Sequence, residues 1–294
     1  MAFKPSEFSD DERLVELLQA RAVDASIQVW DDATVDWADF DGVVIRSTWD
    51  YSRRLEDFLT WAEMIGDRLH NPPALVRWNS DKRYLRDLAT AGIGVVQTIY
   101  VRPGDPSPTI QCESVIKPTV SAGARDTGRF GPDQAAQARA LLAAICASGR
   151  TAMVQTYLSS VDIEGEIAIV FIDGEPSHAL RKRAVLRKGE IAPVRDDAVG
   201  AAEAMYDPSL VTAATATDAE LDSARAVVAE VARRFGTVPL YARVDQLHDG
   251  AGAPVVLELE AVEPNLYLDQ APDSAHRLAN AIIDRASRVP SRRC

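Results

Sequence analysis

The residues best suited to chemistry lie near the carboxyl terminus. Tyr241-Ala242-Arg243-Val244-Asp245 runs into the turn His248–Ala253, and Val255-Val256-Leu257-Glu258-Leu259-Glu260 runs out of it. Side chains of a strand alternate between faces, so Glu258 and Glu260 share one. With Leu247 paired to Pro254, Asp245 stands opposite Val256 and Arg243 opposite Glu258. All four charged groups then fall on one face, and Val244, Leu257 and Leu259 on the other. A one-residue slip would scatter them. Two like charges ~4 Å apart cost about 4 kcal/mol at an effective dielectric of ~20. A hard cation removes that cost, and Mg²⁺ takes one or a few carboxylates together with substrate phosphates. Asp245, Glu258 and Glu260 are therefore candidate metal ligands. The alternative is a solvated strand face.

Two further groupings suit an anionic ligand and a third a nucleoside, against the plain readings of a turn, a solvated basic edge strand, and an ordinary strand and loop. Val115-Ile116-Lys117-Pro118 puts an ammonium in a short apolar strand, which calls for an anionic partner. The small-residue loop Ser121-Ala122-Gly123-Ala124-Arg125-Asp126-Thr127-Gly128 follows it and can bring backbone N–H groups to phosphate. It lacks the Gly-Lys-Ser/Thr ending of a Walker A loop. Met153–Leu158 ends in an amide and free backbone groups fit for an adenine edge. The run Asp162-Ile163-Glu164-Gly165-Glu166 offers carboxylates for ribose hydroxyls. Arg181-Lys182-Arg183 lies on the return strand of a hairpin turned at Asp173-Gly174, the strongest two-residue hairpin signal in the chain. Alternation sets Arg181 and Arg183 on one face and Lys182 on the other, so at least one base can face phosphate. The histidines are scattered singly and suggest no Ser-His-Asp set.

The elements that must position these groups are legible in outline. Ser9-Asp10-Asp11-Glu12 reads as a capping box before a helix with Leu14, Leu17 and Leu18 on one face. Strands are expected at Ile27–Trp30 and Gly42–Arg46, and helices near 55–65 and 81–91. The stretch Ala2–Phe8 is a poor first strand. Alternating strands and helices predict a largely parallel layer over the first hundred residues. Beyond Pro103, Pro106 and Pro108 come a strand at Ser114–Pro118, a loop from Gly123 to Phe130 and a helix at Gln134–Ala147. Strands follow at Met153–Leu158, Ile163–Ile172 and Ser177–Val185. Residues 186–218 read as a polar, Ala-rich connection. Leu221, Ala224, Val227, Val228, Val231 and Phe235 mark a helix at about 217–235, and Ala275–Ala286 a closing helix.

The bulk composition narrows the function classes. The chain has 294 residues and a net charge of −12, which opposes a general nucleic-acid-binding role. No apolar run approaches the ~20 residues that span a bilayer, and no apolar leader is visible. Cys112, Cys146 and Cys294 are few and widely spaced, as expected of free thiols in a reducing cytoplasm.

Taken in order, these pieces resemble the ATP-grasp superfamily. They are Asn79-Ser80-Asp81-Lys82 opening a helix, Lys117 with its loop, the Gln155–Leu158 hinge, Arg181/Lys182, and Arg243-Val244-Asp245 with Glu258-Leu259-Glu260. The resemblance implies an α/β (α+β) fold with a Rossmann-like layer over 1–100, a small subdomain over 101–160 and a metal-bearing subdomain over 161–294. ATP would lie between two antiparallel sheets. Lys82 and Lys117 would contact ATP, with Lys117 on the phosphates beneath Ser121, Ala122 and Gly123. Gln155, Tyr157 and Leu158 would border adenine, and Asp162 or Glu166 would hold ribose. Asp245, Glu258 and Glu260 would ligate Mg²⁺, although many members carry Asn at the position of Glu260. Lys117, Arg181 or Lys182, and Arg243 would neutralise the transferring phosphoryl group, and Arg243 could serve an oxyanion.

The spellings Arg46-Ser47-Thr48-Trp49-Asp50-Tyr51 and Ser121–Thr127 are similar to a glutathione-synthetase-like branch. That branch includes enzymes that close O-ureido-D-serine into an isoxazolidinone ring. Arg46, Thr48 and Asp50 end a strand, where α/β sheets place ligands; with Trp49 and Asn265 they are the substrate-recognition candidates. The implied activity is activation of a small amino-acid-like carboxylate as an acyl phosphate, followed by attack of a nitrogen. Ring closure, intermolecular amino-acid ligation and ATP binding without turnover are the competing outcomes. Neither nucleic acid nor membrane is an expected partner, and a homodimer is the assembly left open.

Overall fold

The computed structural model describes residues 10–184, 186, 189–191, 208–271 and 273–288. The weak first strand Ala2–Phe8, the cap residue Ser9, Cys294 and residues 192–207 of the polar connection lie outside them. The first helix, α1 (Asp11–Gln19), buries Leu14 and Leu18 as their spacing predicts. Asp10 precedes it, but its carboxylate accepts from the Leu268 N–H (2.8 Å) instead of capping the helix.

In the first layer, β1 (Val43–Val44) and β2 (Leu69–His70) pair in parallel. Helix α2 (Leu55–Ile65) buries Phe58, Leu59 and Ala62 against Trp30, Tyr51 and Val76. Ile27–Trp30 forms no strand. Trp30 alone is anchored, edge-on to Phe58, while Ile27 and Val29 are 57% and 40% exposed. Periodicity there lacked a sheet to pair with. Helices α3 (Pro73–Asn79) and α4 (Tyr84–Thr90) lead out of this layer.

Two antiparallel sheets follow. The smaller has the order β3-β6-β4-β5, built from β3 (Thr98–Val101), β4 (Ser114–Pro118), β5 (Gly128–Phe130) and β6 (Ala152–Thr156). Helix α5 (Ala135–Ala147) covers one face, packing Ala138, Leu142 and Ile145 on Ile116, Phe130 and Val154. Strand β5 occupies the end of the stretch expected to be loop. Strand β6 stops at Thr156, and α6 (Ser160–Ile163) intervenes before β7 (Glu166–Ile172). Ile163 is 83% exposed there, and Gly165 turns at φ +77, where a Cβ would meet the Lys182 carbonyl at 2.7 Å.

The larger sheet has the order β11-β10-β7-β8-β9. Beyond β7 its strands are β8 (Glu175–Lys182), β9 (Val211–Ala214), β10 (Tyr241–His248) and β11 (Pro254–Glu260). Strand β9 falls within the stretch read as connection. One face packs on α7 (Asp218–Phe235), which the Thr217–Glu220 capping box opens and Gly236 closes at φ 72. Ala224, Val227, Val228 and Val231 of α7 meet Ile167, Ile169, Val244 and Leu259. The other face is divided. Ala168, Val170, Ile172, Leu180 and Tyr241 lie under α1 and α8 (Ser274–Ala286). Further along, the same face carries charge.

Candidate active site

The charged end of that face is built by strand pairing. Glu166 lies opposite Lys182, and Asp245 opposite both Ala168 and Glu258. Opposed residues share a face, so Glu166, Lys182, Arg243, Asp245, Glu258 and Glu260 look the same way.

The register is not the one expected. His248, not Leu247, pairs with Pro254, because Asp249 accepts from the N–H groups of Ala251 and Ala253 (2.9 Å each) and closes a shorter turn. Pairing resumes at Asp245–Glu258 and Arg243–Glu260 after Gln246–Val256, so Leu257 is left over in a β-bulge. The turn and the bulge each shift the pairing by one residue. Together they restore parity, which leaves the charges on the shared face. Leu257, placed in the apolar row by simple alternation, is the unpaired residue.

Strand β11 is the sheet edge, yet its outer backbone groups are satisfied. Asn79 donates to the Leu259 carbonyl (2.8 Å) and accepts from the Ala261 N–H (2.6 Å). The Tyr84 hydroxyl donates to the Leu259 carbonyl (2.9 Å) and accepts from its N–H (2.8 Å). These side chains stand where a further strand would be and hold Glu258 and Glu260 in place.

The anticipated mutual repulsion of the acids is met inside the protein. Arg243 grips Asp245 with Nε and Nη2 (2.8 and 2.9 Å) and also donates to Glu260 and to the Asn265 carbonyl (2.9 Å). Lys182 bonds Asp245 (2.8 Å) and pairs with Glu166. Glu258 reaches Lys82 (3.1 Å) and Lys117 (3.7 Å). Burial disfavours the ionised Asp245, but Arg243 and Lys182 outweigh it and hold its carboxyl below the usual range. Burial likewise opposes ionised Glu258, and Lys82 and Lys117 overcome it. Burial pushes Lys117 down although Glu258 opposes this, whereas for Lys82 the same acid outweighs burial and raises the ammonium.

Among the described residues no three His, Cys, Asp or Glu side chains converge to hold a metal. The donors present are nonetheless hard oxygens on adjacent positions of one ribbon, which suit Mg²⁺ completed by phosphate oxygens.

The smaller sheet faces this cluster. Lys117 lies opposite Met153, and Val115 opposite Gln155, on the face turned away from α5. Gln155 is 2% exposed. Lys82 also donates to the Ser121 carbonyl (2.8 Å), tying the small-residue loop to the site. Gly123, Ala124 and Asp126 of that loop all take positive φ, and such backbone concentrates at functional sites.

Not every candidate is brought in. Arg181 lies opposite Ile167 on the α7 face and points to Glu220 (3.8 Å), away from the acids. Asp162 is gripped by Arg129 and the Tyr157 hydroxyl (2.6 Å). Leu158 turns the chain into α6 by accepting from the Val161 N–H (3.1 Å). Trp49 donates to the Glu263 carbonyl (3.1 Å) and Arg46 to the Pro264 carbonyl (3.2 Å), so both dock on the segment that follows β11 and contains Asn265. Arg46 also pairs with Asp11, and Asp50 turns to Trp30 and Arg54. The Thr48 hydroxyl is buried without a partner among the described residues.

Motif and alternation do not single out Arg129, Glu113 or Glu263. The only signal for Glu263 was a further acid closing the run from Glu258. Burial and then Glu260 push its carboxyl up to about 8.

Residues 1–71 match the family model described as D-cycloserine synthetase DcsG, N-terminal domain. The cycloserine biosynthesis protein DcsG of Streptomyces lavendulae is 36% identical over 287 residues, covering 92% of each chain. The crystal structure of D-cycloserine synthetase DcsG superposes with a TM-score of 0.82 at 33% identity, covering 94% of each chain. The ATP-grasp ligase PsnB, solved with a minimal precursor, Mg and ADP, superposes with a TM-score of 0.58 at 18% identity, covering 96% of this chain and 95% of that one. This last likeness concerns the fold.

Proposed function

The chain belongs to the D-cycloserine synthetase family of ATP-grasp ligases, and we propose that it uses Mg²⁺ and ATP to close O-ureido-D-serine into the ring of D-cycloserine. An ATP-dependent ligase of this kind makes a carbon–nitrogen bond by way of an acyl phosphate. The substrate carboxylate takes the γ-phosphoryl group, and the nitrogen bound to the side-chain oxygen attacks the acyl carbon as phosphate leaves. Hydrolytic loss of the carbamoyl group from that nitrogen completes the product.

One observation supports the reading above the others: Glu258 of the larger sheet is paired with both Lys82 and Lys117, which enter from the opposite side of the groove. Polyphosphate would take over these ammonium groups and free the carboxylate. Mg²⁺ held by Asp245, Glu258 and Glu260 would neutralise the phosphates. Lys182 adds charge beside Asp245, and Ser121, Ala122 and Gly123 cover the phosphates. Gln155, Tyr157 and Leu158 border adenine, with Glu166 as the ribose ligand. Four of the five Arg243 N–H groups are committed to Asp245, Glu260 and the Asn265 carbonyl. Its chief task is to hold those acids, and one N–H remains for an oxyanion. Arg46, Thr48, Trp49 and Asn265 line the acceptor side, beside a cleft bordered by Ser52, Arg53, Ser121 and Arg150.

The test is ADP release with Mg-ATP and O-ureido-D-serine, with the product identified by mass spectrometry and amino-acid pairs run in parallel. Turnover with pairs but not with O-ureido-D-serine would replace ring closure by intermolecular ligation. No ADP release with any carboxylate would sink the reading.

A further inference from the structure

Arg129 of β5 is 8% exposed and lies outside the carboxylate cluster. Its Nε donates to Glu113 (2.7 Å), and Nη1 and Nη2 donate to the two oxygens of Asp162 (3.0 and 2.8 Å). Nη1 also donates to the Leu186 carbonyl (3.2 Å). The guanidinium stands 3.6 Å from the centroid of the Tyr157 ring. The Arg129 N–H donates to the Glu190 carbonyl (3.0 Å), and its carbonyl accepts from the Gly189 N–H (2.8 Å). Gly128 continues this pairing with Ile191.

The order of the chain gives these contacts their meaning. Tyr157 and Asp162 sit on the connection from β6 to β7, the covalent hinge between the two sheets. Leu186, Gly189, Glu190 and Ile191 come after β8 of the larger sheet. Arg129 belongs to the smaller one. The chain entering β3, at one edge of the smaller sheet, already bridges β11 through Val95 and Val256; a tether on β5, at the opposite edge, fixes the angle of the sheet about the hinge. The bidentate carboxylate pair and the stacked ring are the interactions for which a planar guanidinium is suited.

We propose that Arg129 is a positioning residue for nucleotide binding, a tether that sets the opening of the groove by tying the β6–β7 hinge to the segment leaving β8. Asp162 is then the partner of Arg129 and not a ribose ligand. The proposal rests on the ATP site described above. A groove held at its binding angle spares the nucleotide the cost of ordering it.

The test compares the full-length chain with Arg129→Gln, Arg129→Lys and Asp162→Asn, each first checked for folding by circular dichroism. ATP affinity is measured by calorimetry, KM and kcat by ADP release, and amide exchange at 128–130 and 189–191 by mass spectrometry. Arg129→Gln should weaken ATP binding and raise its KM about tenfold, with a smaller change in kcat, and exchange should quicken at both segments. Asp162→Asn should act in the same direction. Arg129→Lys should fall between, because an ammonium does not span both carboxylate oxygens. Folded variants with unchanged ATP affinity and exchange would overturn the tether, as would a fall in kcat at constant KM. If the unsubstituted protein fails to bind ATP, the nucleotide site is what fails, and the exchange comparison still decides the tether.

Discussion

Asp245 and Glu258 face one another across the β10–β11 ribbon because Leu257 has no partner. Were Leu257 paired with Asp245, Glu258 would turn toward α7 and leave Lys82 and Lys117 without an acid. The bulge therefore aims a carboxylate at two ammonium groups that come from other parts of the chain.

Glu258→Gln should lower kcat/KM by about 10²–10³-fold, the scale of one removed electrostatic contact to transferring charge. It should also lower Tm, since Lys82 and Lys117 lose their shared partner. Adding Lys117→Met to it should recover part of the Tm and none of the activity. ADP-release assays and thermal unfolding read both effects, and a fully active Glu258→Gln would remove Glu258 from the site.

Arg243→Gln should destabilise by about 3–5 kcal/mol, because it leaves Asp245 and Glu260 without their main counter-charge. Arg243→Lys should restore only a fraction, since the two-pronged grip on Asp245 needs a planar fork. Urea unfolding checks the order of the three proteins; equal stability of Lys and Arg would show that charge alone suffices.

Stability should respond to pH in opposite senses at two acids. Arg243 and Lys182 outweigh burial and hold the folded pKa of Asp245 below its unfolded value of ~3.9. Its contribution is complete above that value and is lost as pH falls through the folded pKa. Burial, reinforced by Glu260, raises Glu263 to about 8. Its contribution is complete below the unfolded value of ~4.3 and is lost as pH rises through the folded one. In nucleotide- and metal-free buffer, Tm should decline between about pH 5 and 8, and Glu263→Gln should flatten that decline. The same slope in both proteins would assign it to another group.

Asn79→Ala should cost about 1–3 kcal/mol, because the Leu259 carbonyl and Ala261 N–H lose their side-chain partner at the sheet edge. Activity should fall as well, since Leu259 lies between Glu258 and Glu260. Denaturant unfolding and kcat/KM measured together test whether the edge and the site are coupled.

Much of the frame was legible from local pattern. The apolar row from Leu221 to Phe235 becomes the face of α7 packed on the sheet, and Ser114–Pro118 becomes β4 with the same bounds. The shared face of Glu258 and Glu260 followed from alternation within β11, a property of that strand by itself; that Asp245 joins them depended on the register. Alternation also separated Lys182 from Arg181, but which of the two meets the acids depended on where α7 packs.

The remainder was decided by contacts between distant parts of the chain. Asp249 shortened the turn, and the bulge at Leu257 offset that change; nothing in either strand taken alone specifies the pairing of both. The partners of the acids come from 63 residues away for Lys182 and Asp245, and from the opposite sheet for Lys117 and Glu258. Ile27–Trp30 has strand-forming residues yet forms no strand, having no neighbour to pair with. Periodicity is set by backbone geometry over a few residues and can be read from sequence. Register, counter-charge and the angle between the sheets depend on which distant groups folding brings within a few ångströms, so the tertiary structure alone decided them.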